Sequence, residues 1–409
     1  MSIVIPNLRH LRAFCEVECT HNISKAADKI YLSQSAVTQG INKLSSILNA
    51  PLFTRSGSGV YPTTEAQAYA YRARRAFDLI EYGISEAIRI SNNKPFRAAN
   101  DVLHSLSHTQ LKAFIAVGMT NNFSSAARQI GTSQPAVHRS IRELEHLIRV
   151  ALFEKTTKGI VLTRAGQIVW QQCKLAVSEL YQGYVDVKAV QNKQEGRIVI
   201  GAMPLARHAV LPEAIIEFSK TYPGIQIQVI EAPYPELLNE LKNGEVDFLI
   251  GALRSELSTT DIIQTELFSS ALCIAARKDH PLAKRKRLAL KDLLHYPWVL
   301  PVHGTPTRER FEQMVHTHSL PTEFGLIESS SQVLIRGLLK GSDRLTIISL
   351  QQIQLEVELG LLTIIDYNIG DIPREIGVTQ RTNWQPSQIH QEFFKHLSIC
   401  ARKYDECAS

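Results

Sequence analysis

Residues 11–66 of this chain recur at residues 111–166, at a constant offset of 100 and without a gap. About twenty of the fifty-six aligned pairs are identical, and they fall where a fold would hold them. Leu11, Ala13, Phe14 and Val17 match Leu111, Ala113, Phe114 and Val117. Ala26-Ala27 match Ala126-Ala127, Ser33-Gln34 match Ser133-Gln134, and Ile41, Leu44 and Leu52-Phe53 match Ile141, Leu144 and Leu152-Phe153. Two copies are too few for a solenoid, which needs at least three stacked units. The remaining arrangement is a duplicated compact domain, and each copy is read for what it does alone.

Copy two is the cleaner. Leu111, Phe114 and Val117 fall at i, i+3 and i+6, one face of a helix. Ser124 is read as the cap of a short second helix carrying Ala126, Ala127 and Ile130, whose small alanines admit a close neighbour. Gly131-Thr132 makes the turn. Ser133 then caps a third helix, and Pro135 sits in its first turn, where a missing N–H costs nothing. Ala136, Val137, Ile141 and Leu144 form its apolar stripe; Gln134, His138, Arg139 and Arg142 form its other face. Helix, short helix, tight turn and polar-faced helix make a helix-turn-helix. Leu152 to Lys155, a Thr-Lys-Gly turn and Ile160 to Thr163 predict a small hairpin, a wing. Ala165 to about Gln191 reads as one long helix.

This arrangement resembles the DNA-binding domain of LysR-type transcriptional regulators. The words carrying the resemblance are A-A-R-Q-I-G-T-S-Q-P-A-V-H-R-S-I-R-E-L-E, L-F-E-K and G-I-V-L-T-R-A-G. Copy one has A-A-D-K-I-Y-L-S-Q-S-A-V-T-Q-G-I-N-K-L-S and P-L-F-T-R; it departs at Ser45, where copy two has Glu145, and at Pro62-Thr63-Thr64-Glu65, which replaces the family's Leu-Thr-x-Ala. The resemblance implies DNA contacts from Gln134, Pro135, His138, Arg139 and the wing residue Lys155. In copy one the matching positions are Gln34, Ser35, Thr38, Gln39 and Arg55.

Charge divides the chain. Residues 1–93 carry a net +3, residues 94–195 a net +6 and residues 196–409 a net −3. The positive part coincides with the two copies, as phosphate contact requires. No apolar run reaches membrane-span length and the N-terminus does not read as a signal peptide, so no membrane association is expected. Cys15, Cys19, Cys173, Cys273, Cys400 and Cys407 are scattered, without zinc spacing; buried thiols in a reducing cytoplasm are expected. Residues 92–106 read as a linker, of which some twelve residues, fully extended, reach about 40 Å, of the order of the ~34 Å between neighbouring half-sites.

From Gly196 the pattern changes to short apolar strands alternating with helices: Arg197–Gly201, Leu211–Tyr222, Ile225–Ile230, Leu237–Asn243 and Val246–Ile250. A second series has strands at Ala271–Ala276, Trp298–Leu300, Gly325–Glu328 and Leu345–Ile348, and the chain returns through Glu375–Thr379 and a last helix from Ile389. Alternation predicts parallel sheets with ligands beyond the carboxyl ends of the strands. This half resembles the effector domain of the same regulators, and through them periplasmic binding proteins. L-P-E-A-I-I-E-F, Y-P-G-I-Q-I, L-K-N-G-E-V-D-F-L-I-G-A and K-D-H-P-L-A carry the likeness. P-L-A-R, Y-P-W-V-L-P and G-T-P-T-R point to the branch with regulators of sugar-binding proteins and protocatechuate catabolism.

The expected cleft chemistry is anionic. Thr305 and Thr307 precede a helix beginning near Arg308, and a helix N-terminus favours an anion. Arg207 follows the first strand; Ser330 lies where another helix opens; two arginines and hydroxyls suit a carboxylate. Leu205 stands where many members of the family carry Ser or Thr. His316 and His318, at i and i+2, do not share a helix face and read as surface residues.

The expected architecture is two all-α winged helix-turn-helix domains, residues 1–93 and 94–195, each with a linker helix, followed by a two-lobed α/β effector domain like a periplasmic binding protein, residues 196–409. Lobe I spans about 196–265 and 370–409, lobe II about 266–369. The expected function is a sequence-specific regulator of transcription, not an enzyme, controlled by a small organic or aromatic acid. Its partners would be double-stranded DNA, the effector, further copies of itself and RNA polymerase, with no cofactor and no metal. The alternative is a small-molecule binding protein whose helix-turn-helix copies serve only assembly. Arg139, Arg142 and Lys155 on the recognition face separate the two, because assembly needs no such charges. The long helices after the wings are expected to pair within one chain, through Ala66, Tyr69, Ala73, Ala76 and Ile80 on the first.

Overall fold

A computed structural model describes residues 5–57, 59–91, 99–157, 159–208, 210–254, 260–315, 325–370 and 374–406. Copy one runs α1 (Leu8–Thr20), α2 (Ile23–Lys29), α3 (Gln34–Leu48), β1 (Phe53–Ser56), β2 (Gly59–Pro62) and α4 (Thr64–Ile90). After α5 (Ala99–Ser105), copy two repeats the plan: α6 (His108–Thr120), α7 (Phe123–Ile130), α8 (Gln134–Ile148), β3 (Phe153–Thr156), β4 (Gly159–Leu162) and α9 (Arg164–Val190). The offset of 100 is kept at the start of every element. Its cause is visible in the core: Leu11, Phe14 and Leu44 are buried, and so are Leu111, Phe114 and Leu144.

Local signals explain the boundaries. Ser33 and Ser133 accept from the N–H groups of Ala36 and Ala136 at 3.2 and 3.4 Å, starting the third helices. The cap of α7 is Asn122, which accepts from Ser125 N–H, and not Ser124; the Ser124 hydroxyl instead donates to Gln134 and ties α7 to α8. The expectation of all-α copies is too narrow, because each contains a two-stranded antiparallel hairpin. The extended linker also needs correction over residues 99–105, which form α5. Val102, Leu103 and Leu106 are buried, and Arg12 donates to the carbonyls of Leu103 and His104 at 2.8 and 3.1 Å. A segment with apolar residues to bury and carbonyls to satisfy is held against copy one rather than left to span.

The copies differ in matched pairs of residues. Trp170 stands where copy one has Ala70, and Gly118 where it has Glu18. The Trp170 indole donates to the Ile115 carbonyl, and a side-chain carbon on Gly118 would lie 2.3 Å from that ring. Glu145 accepts from the N–H groups of Leu152 and Phe153 at 2.8 and 3.1 Å, fixing the start of the wing strand. Ser45, its counterpart, bonds the Ala50 carbonyl instead.

Both copies belong to one compact unit, Met1–Gly196 with Lys242–Glu245. Within it α4 packs along α9. Residues early in one helix meet residues late in the other: Arg72 meets Glu179 and Asp186, and Gly83 meets Val169 and Gln172, so the pair is antiparallel. Ala66, Tyr69, Ala73, Ala76 and Ile80 are all buried in this core, as the seam requires. The intrachain pairing read from the sequence is the one the structure has.

The second unit is Arg197–Leu241 with Val246–Ser409. Its elements are β5 (Gly196–Ala202), α10 (Pro204–His208), α11 (Val210–Thr221), β6 (Ile225–Ile230), α12 (Tyr234–Lys242), β7 (Phe248–Ala252) and β8 (Ile262–Ser270). Then come β9 (Leu272–Arg277), α13 (Leu290–Leu294), β10 (Val299–Leu300), α14 (Pro306–Val315), β11 (Ile327–Glu328), α15 (Gln332–Gly341) and β12 (Thr346–Ser349). The chain ends with α16 (Gln354–Glu358), β13 (Leu362–Ile365), β14 (Arg374–Arg381) and α17 (Gln388–Glu406). Lobe I is a sheet of order β6-β5-β7-β14-β8, lobe II a sheet of order β12-β9-β13 beside the pair β10-β11. The expectation of parallel sheets holds only in part. β5 and β7 are parallel, as are β10 and β11, but β14 runs against both β7 and β8, and β9 against β12 and β13. The sequence reading missed β8 and β13; in β8 the exposed Thr265 and Glu266 break the apolar run, and β13 is only four residues long.

Lobe I is locked by a buried polar group. Asp247 accepts from Val199 N–H at 2.7 Å and lies 3.2 Å from His390 Nε2, while Arg381 donates to the Leu241 and Val246 carbonyls. Burial by itself would raise the Asp247 pKa; His390, the Val199 N–H and Arg381 together bring it below the ordinary value. A depressed folded-state value means stability that is present above the unfolded-state value, about 3.9, and is lost as pH falls through the folded one. The effector half is therefore expected to lose stability below about pH 4. The urea midpoint followed against pH should fall steeply there in the natural chain and flatten in Asp247→Asn, which should also be weaker at neutral pH. An unchanged acid slope in the variant would refute the assignment.

Candidate DNA interface and effector cleft

The recognition faces emerge from capped helices. On α8, Gln134, Pro135, His138, Arg139 and Arg142 are exposed, and Lys155 is exposed on the wing. The His138 ring packs on Phe123 with centroids 5.2 Å apart, which orients it from α7. On α3, Gln34, Ser35 and Gln39 are exposed with Arg55 on the wing; Thr38 is half-buried and donates back to the Gln34 carbonyl. The faces are unlike in charge. Gln39 and Asn42 stand where copy two has Arg139 and Arg142, and Asp28 where it has Arg128.

The two faces are held by the α4–α9 pair, whose centre is ionic. Arg72 is 4% exposed and Glu179 6%. Arg72 Nη1 donates to Glu179 at 2.9 Å and its Nε to Asp186 at 2.8 Å; Arg75 reaches the other Glu179 oxygen at 3.1 Å. The counterpart of Arg72 is Gln172, and that of Glu179 is Leu79. Only α4 against α9 therefore gives this carboxylate its cations; α9 against a second α9 would set it opposite Gln172. At the end of α9, Lys188 donates to the Leu48 carbonyl and Gln191 to that of Asn49. A cation thus satisfies the carboxyl end of the copy-one recognition helix, where the helix dipole favours it.

In the effector half Leu205 and Arg207 lie in α10, Thr305 just before α14, Thr307 and Arg308 within its first turn rather than ahead of it, and Ser330 after β11. The Thr305 hydroxyl caps α14, accepting from Arg308 N–H and donating to the Val302 carbonyl. Thr307 and Leu205 are buried, and Ser330 is exposed. Arg308 is 6% exposed and its fork is occupied: Nε donates to Glu312 and Nη1 to Glu328, each at 2.7 Å, with His303 3.1 Å from Nη2. Arg207 pairs with Glu231. Sequence reading missed Arg254 and Arg374. Arg254 follows β7 as the last letter of I-G-A-L-R; Arg374 opens the return strand β14.

No group of His, Cys, Asp and Glu that could hold a metal occurs among the described residues, and no described helix is long and apolar enough to cross a membrane. His316, His318 and Cys407 lie outside the described residues. Cys173 and Cys400 are buried as expected, Cys15 and Cys273 partly so, but Cys19 is exposed because it faces away from the α1 core stripe. Burial pushes the Cys15, Cys173 and Cys273 thiols up to about 12.

Comparison with known proteins agrees with this geometry. The family model for the LysR substrate binding domain matches residues 191–398. That for a bacterial regulatory helix-turn-helix protein of the lysR family matches twice, at residues 8–67 and 108–167. The chain is 30% identical over 382 residues to the HTH-type transcriptional regulator GalR of Pseudomonas putida, covering 93% of this chain and 94% of that protein. It is 28% identical over 278 residues to the HTH-type transcriptional regulator PcaQ of Agrobacterium fabrum, covering 68% and 89%. A full-length OxyR variant from Pseudomonas aeruginosa has a related fold, with a TM-score of 0.53 at 20% identity over 72% of this chain and 94% of that one. The chain belongs to the LysR family and is a DNA-binding transcriptional regulator with a C-terminal effector-binding domain, carrying its helix-turn-helix domain twice.

Proposed function

We propose that a single chain reads two unlike half-sites of double-stranded DNA, with α8 and the wing residue Lys155 on one and α3 and Arg55 on the other, under the control of a small organic anion bound between the lobes. The supporting observation is the α4–α9 pair, which joins the two readers within one chain through a buried ion pair that neither helix can form with its own kind. The operator is then an imperfect palindrome even for one chain. Gln134, Pro135, His138 and Arg139 read bases on the copy-two half; Gln34, Ser35, Thr38 and Gln39 read the other. Arg207, Thr305, Thr307, Arg308, Ser330 and Leu205 line the effector cleft, with Arg308 held by Glu312 and Glu328. Further copies of the chain assemble through the effector half, and the DNA-bound form works on RNA polymerase in the cytoplasm.

A bidentate base contact is worth roughly 1–3 kcal/mol of discrimination. Arg139→Ala is therefore expected to relax specificity at one operator position. Lys155→Ala should weaken binding at all sequences alike and reduce the salt slope by about 0.9 for each phosphate that the lysine neutralises. Binding to a set of single-base operator variants measures both. Full retention of specificity by Arg139→Ala would reject base reading by copy two, and would favour a helix-turn-helix that serves assembly alone.

A further inference from the structure

Arg254 and Arg374 are fixed where lobe I meets lobe II, and neither has a carboxylate partner among the described residues. Arg254 lies just beyond the carboxyl end of β7. Its backbone is clamped by Gln264, which accepts from its N–H at 3.0 Å and donates to its carbonyl at 2.9 Å. Its guanidinium lies 4.4 Å from the centroid of the Tyr234 ring, and Nη1 donates to the Gly304 carbonyl of lobe II at 3.1 Å. Arg374 opens β14 and is the register partner of Ser270, the last residue of β8. Both chain crossings between the lobes thus flank it. Its Nη1 is 3.5 Å from the hydroxyl of Ser349, a buried residue of lobe II.

In both side chains the Nε–H is buried and has no acceptor among the described residues. An unpaired buried donor costs desolvation energy, and a buried charge without a counter-charge costs more. Burial and the positive charge of Arg254 bring the Arg374 pKa down to about 10, so the two cations are close enough to repel each other. Arg308 and Arg207 differ in having carboxylate partners, Glu312 and Glu328 for the one and Glu231 for the other, although the Arg207 Nε–H is also buried without an acceptor among the described residues. Two fixed guanidinium forks whose Nε–H groups and charges find no partner among the described residues, beyond the carboxyl end of a sheet strand, are an incomplete site.

We propose that Arg254 and Arg374 together seat a small dianion, a dicarboxylate whose carboxylates accept from the two unpaired Nε–H groups. The charge count sets the class, because a monoanion leaves one cation uncompensated. Each carboxylate of a dicarboxylate can accept from one guanidinium fork, whereas a single tetrahedral anion must serve both forks from one centre. Since Arg254 and Ser349 with Gly304 belong to different lobes, occupancy bears on how the lobes meet. This inference rests on the effector reading given above and names the groups that would carry it.

The test is calorimetry on the full chain with malonate as probe, alongside acetate and inorganic phosphate at matched ionic strength. Malonate is expected to bind the natural chain at least roughly tenfold more tightly than either comparison anion, one order of magnitude being about 1.4 kcal/mol. Arg254→Gln and Arg374→Gln should each weaken malonate about tenfold or more, and Arg374→Lys, which keeps the charge but loses the fork, should recover only part. Arg285→Gln, which removes a charge already paired with Asp292 on the surface of lobe II, should leave malonate binding nearly unchanged. Melting of each unliganded variant checks the fold: both Gln variants should melt at or above the natural temperature, since they remove an uncompensated charge. Malonate binding that survives both Gln variants but fails in Arg207→Gln or Arg308→Gln would overturn the pair and leave the anion reading of the cleft intact. Equal binding of phosphate or acetate would overturn the dicarboxylate. Absence of any malonate heat in the natural chain would overturn the site, and so would a clear loss of melting temperature in both unliganded variants, which would make the arginines structural.

Discussion

Replacing Arg72 by alanine is expected to loosen the helix pair that joins the two helix-turn-helix copies by about 3–5 kcal/mol, the cost of breaking a buried ion pair from one side. The magnitude follows from what is left behind. Glu179 is 6% exposed and would keep Arg75, which approaches a single oxygen at 3.1 Å, while Asp186 would lose its Nε–H donor. The removed side chain also carried packing, because Gly183 of α9 lies against the Arg72 and Tyr69 side chains. Native-state hydrogen exchange on peptides from residues 64–90 and 164–190 reads the effect directly. Exchange should quicken by about a hundredfold or more, the equivalent of some 3 kcal/mol at about 1.4 per decade. Removing both charges with Arg72→Met and Glu179→Leu should restore much of the protection, since a buried pair replaced by apolar groups is often neutral. Less than a tenfold change in Arg72→Ala would show that the pair is not the determinant. The double variant has a further consequence. It lifts the rule that α4 must meet α9, so like helices of different chains become acceptable partners, and light scattering on the natural and double-variant chains should register the added association.

The parts of this arrangement that were legible in the sequence are those whose cause is local or duplicated. The third helices could be read because Ser33 and Ser133 cap them and the apolar stripe repeats at the same spacing. The α4–α9 seam could be read because alanines recur on one face of residues 64–90. Its ionic centre could not, since Arg72 and Glu179 are 107 positions apart and neither is periodic with anything. α5 was missed because three buried apolar residues within a polar stretch fall below any periodic signal, and its anchor, Arg12, lies on another helix. In the cleft, the sequence marks Arg308 as following a capping threonine, but what occupies its fork comes partly from β11. Glu312 at i+4 was a readable partner; Glu328 was not. Arg254 and Arg374 carry no motif at all. Their distinction is that no described residue answers their charge, which only the folded arrangement reveals.

Truncating the copy-two recognition face, Gln134→Ala with His138→Ala and Arg139→Ala, is expected to remove protection from one half of the operator and leave the other. Base contacts are worth roughly 1–3 kcal/mol each, so the combined effect on that half is about 3 kcal/mol or more, at least a hundredfold. The matching change in copy one, Gln34→Ala with Thr38→Ala and Gln39→Ala, should erase the opposite half by a smaller factor. Gln39 is a neutral residue where copy two has an arginine, and Thr38 spends its hydroxyl on the Gln34 carbonyl. Salt should separate the two variants as well. Arg139, Arg142 and Lys155 face outward on copy two against Arg55 and Lys43 on copy one, so losing copy two should flatten the dependence of binding on salt more than losing copy one. Footprints of the full chain at two salt concentrations decide among the arrangements. Loss confined to unlike halves means two unlike readers on one chain. Equal weakening of both halves by either variant would mean that each half is read by both copies, as when copies of one kind pair across chains, and would reject the intrachain reader.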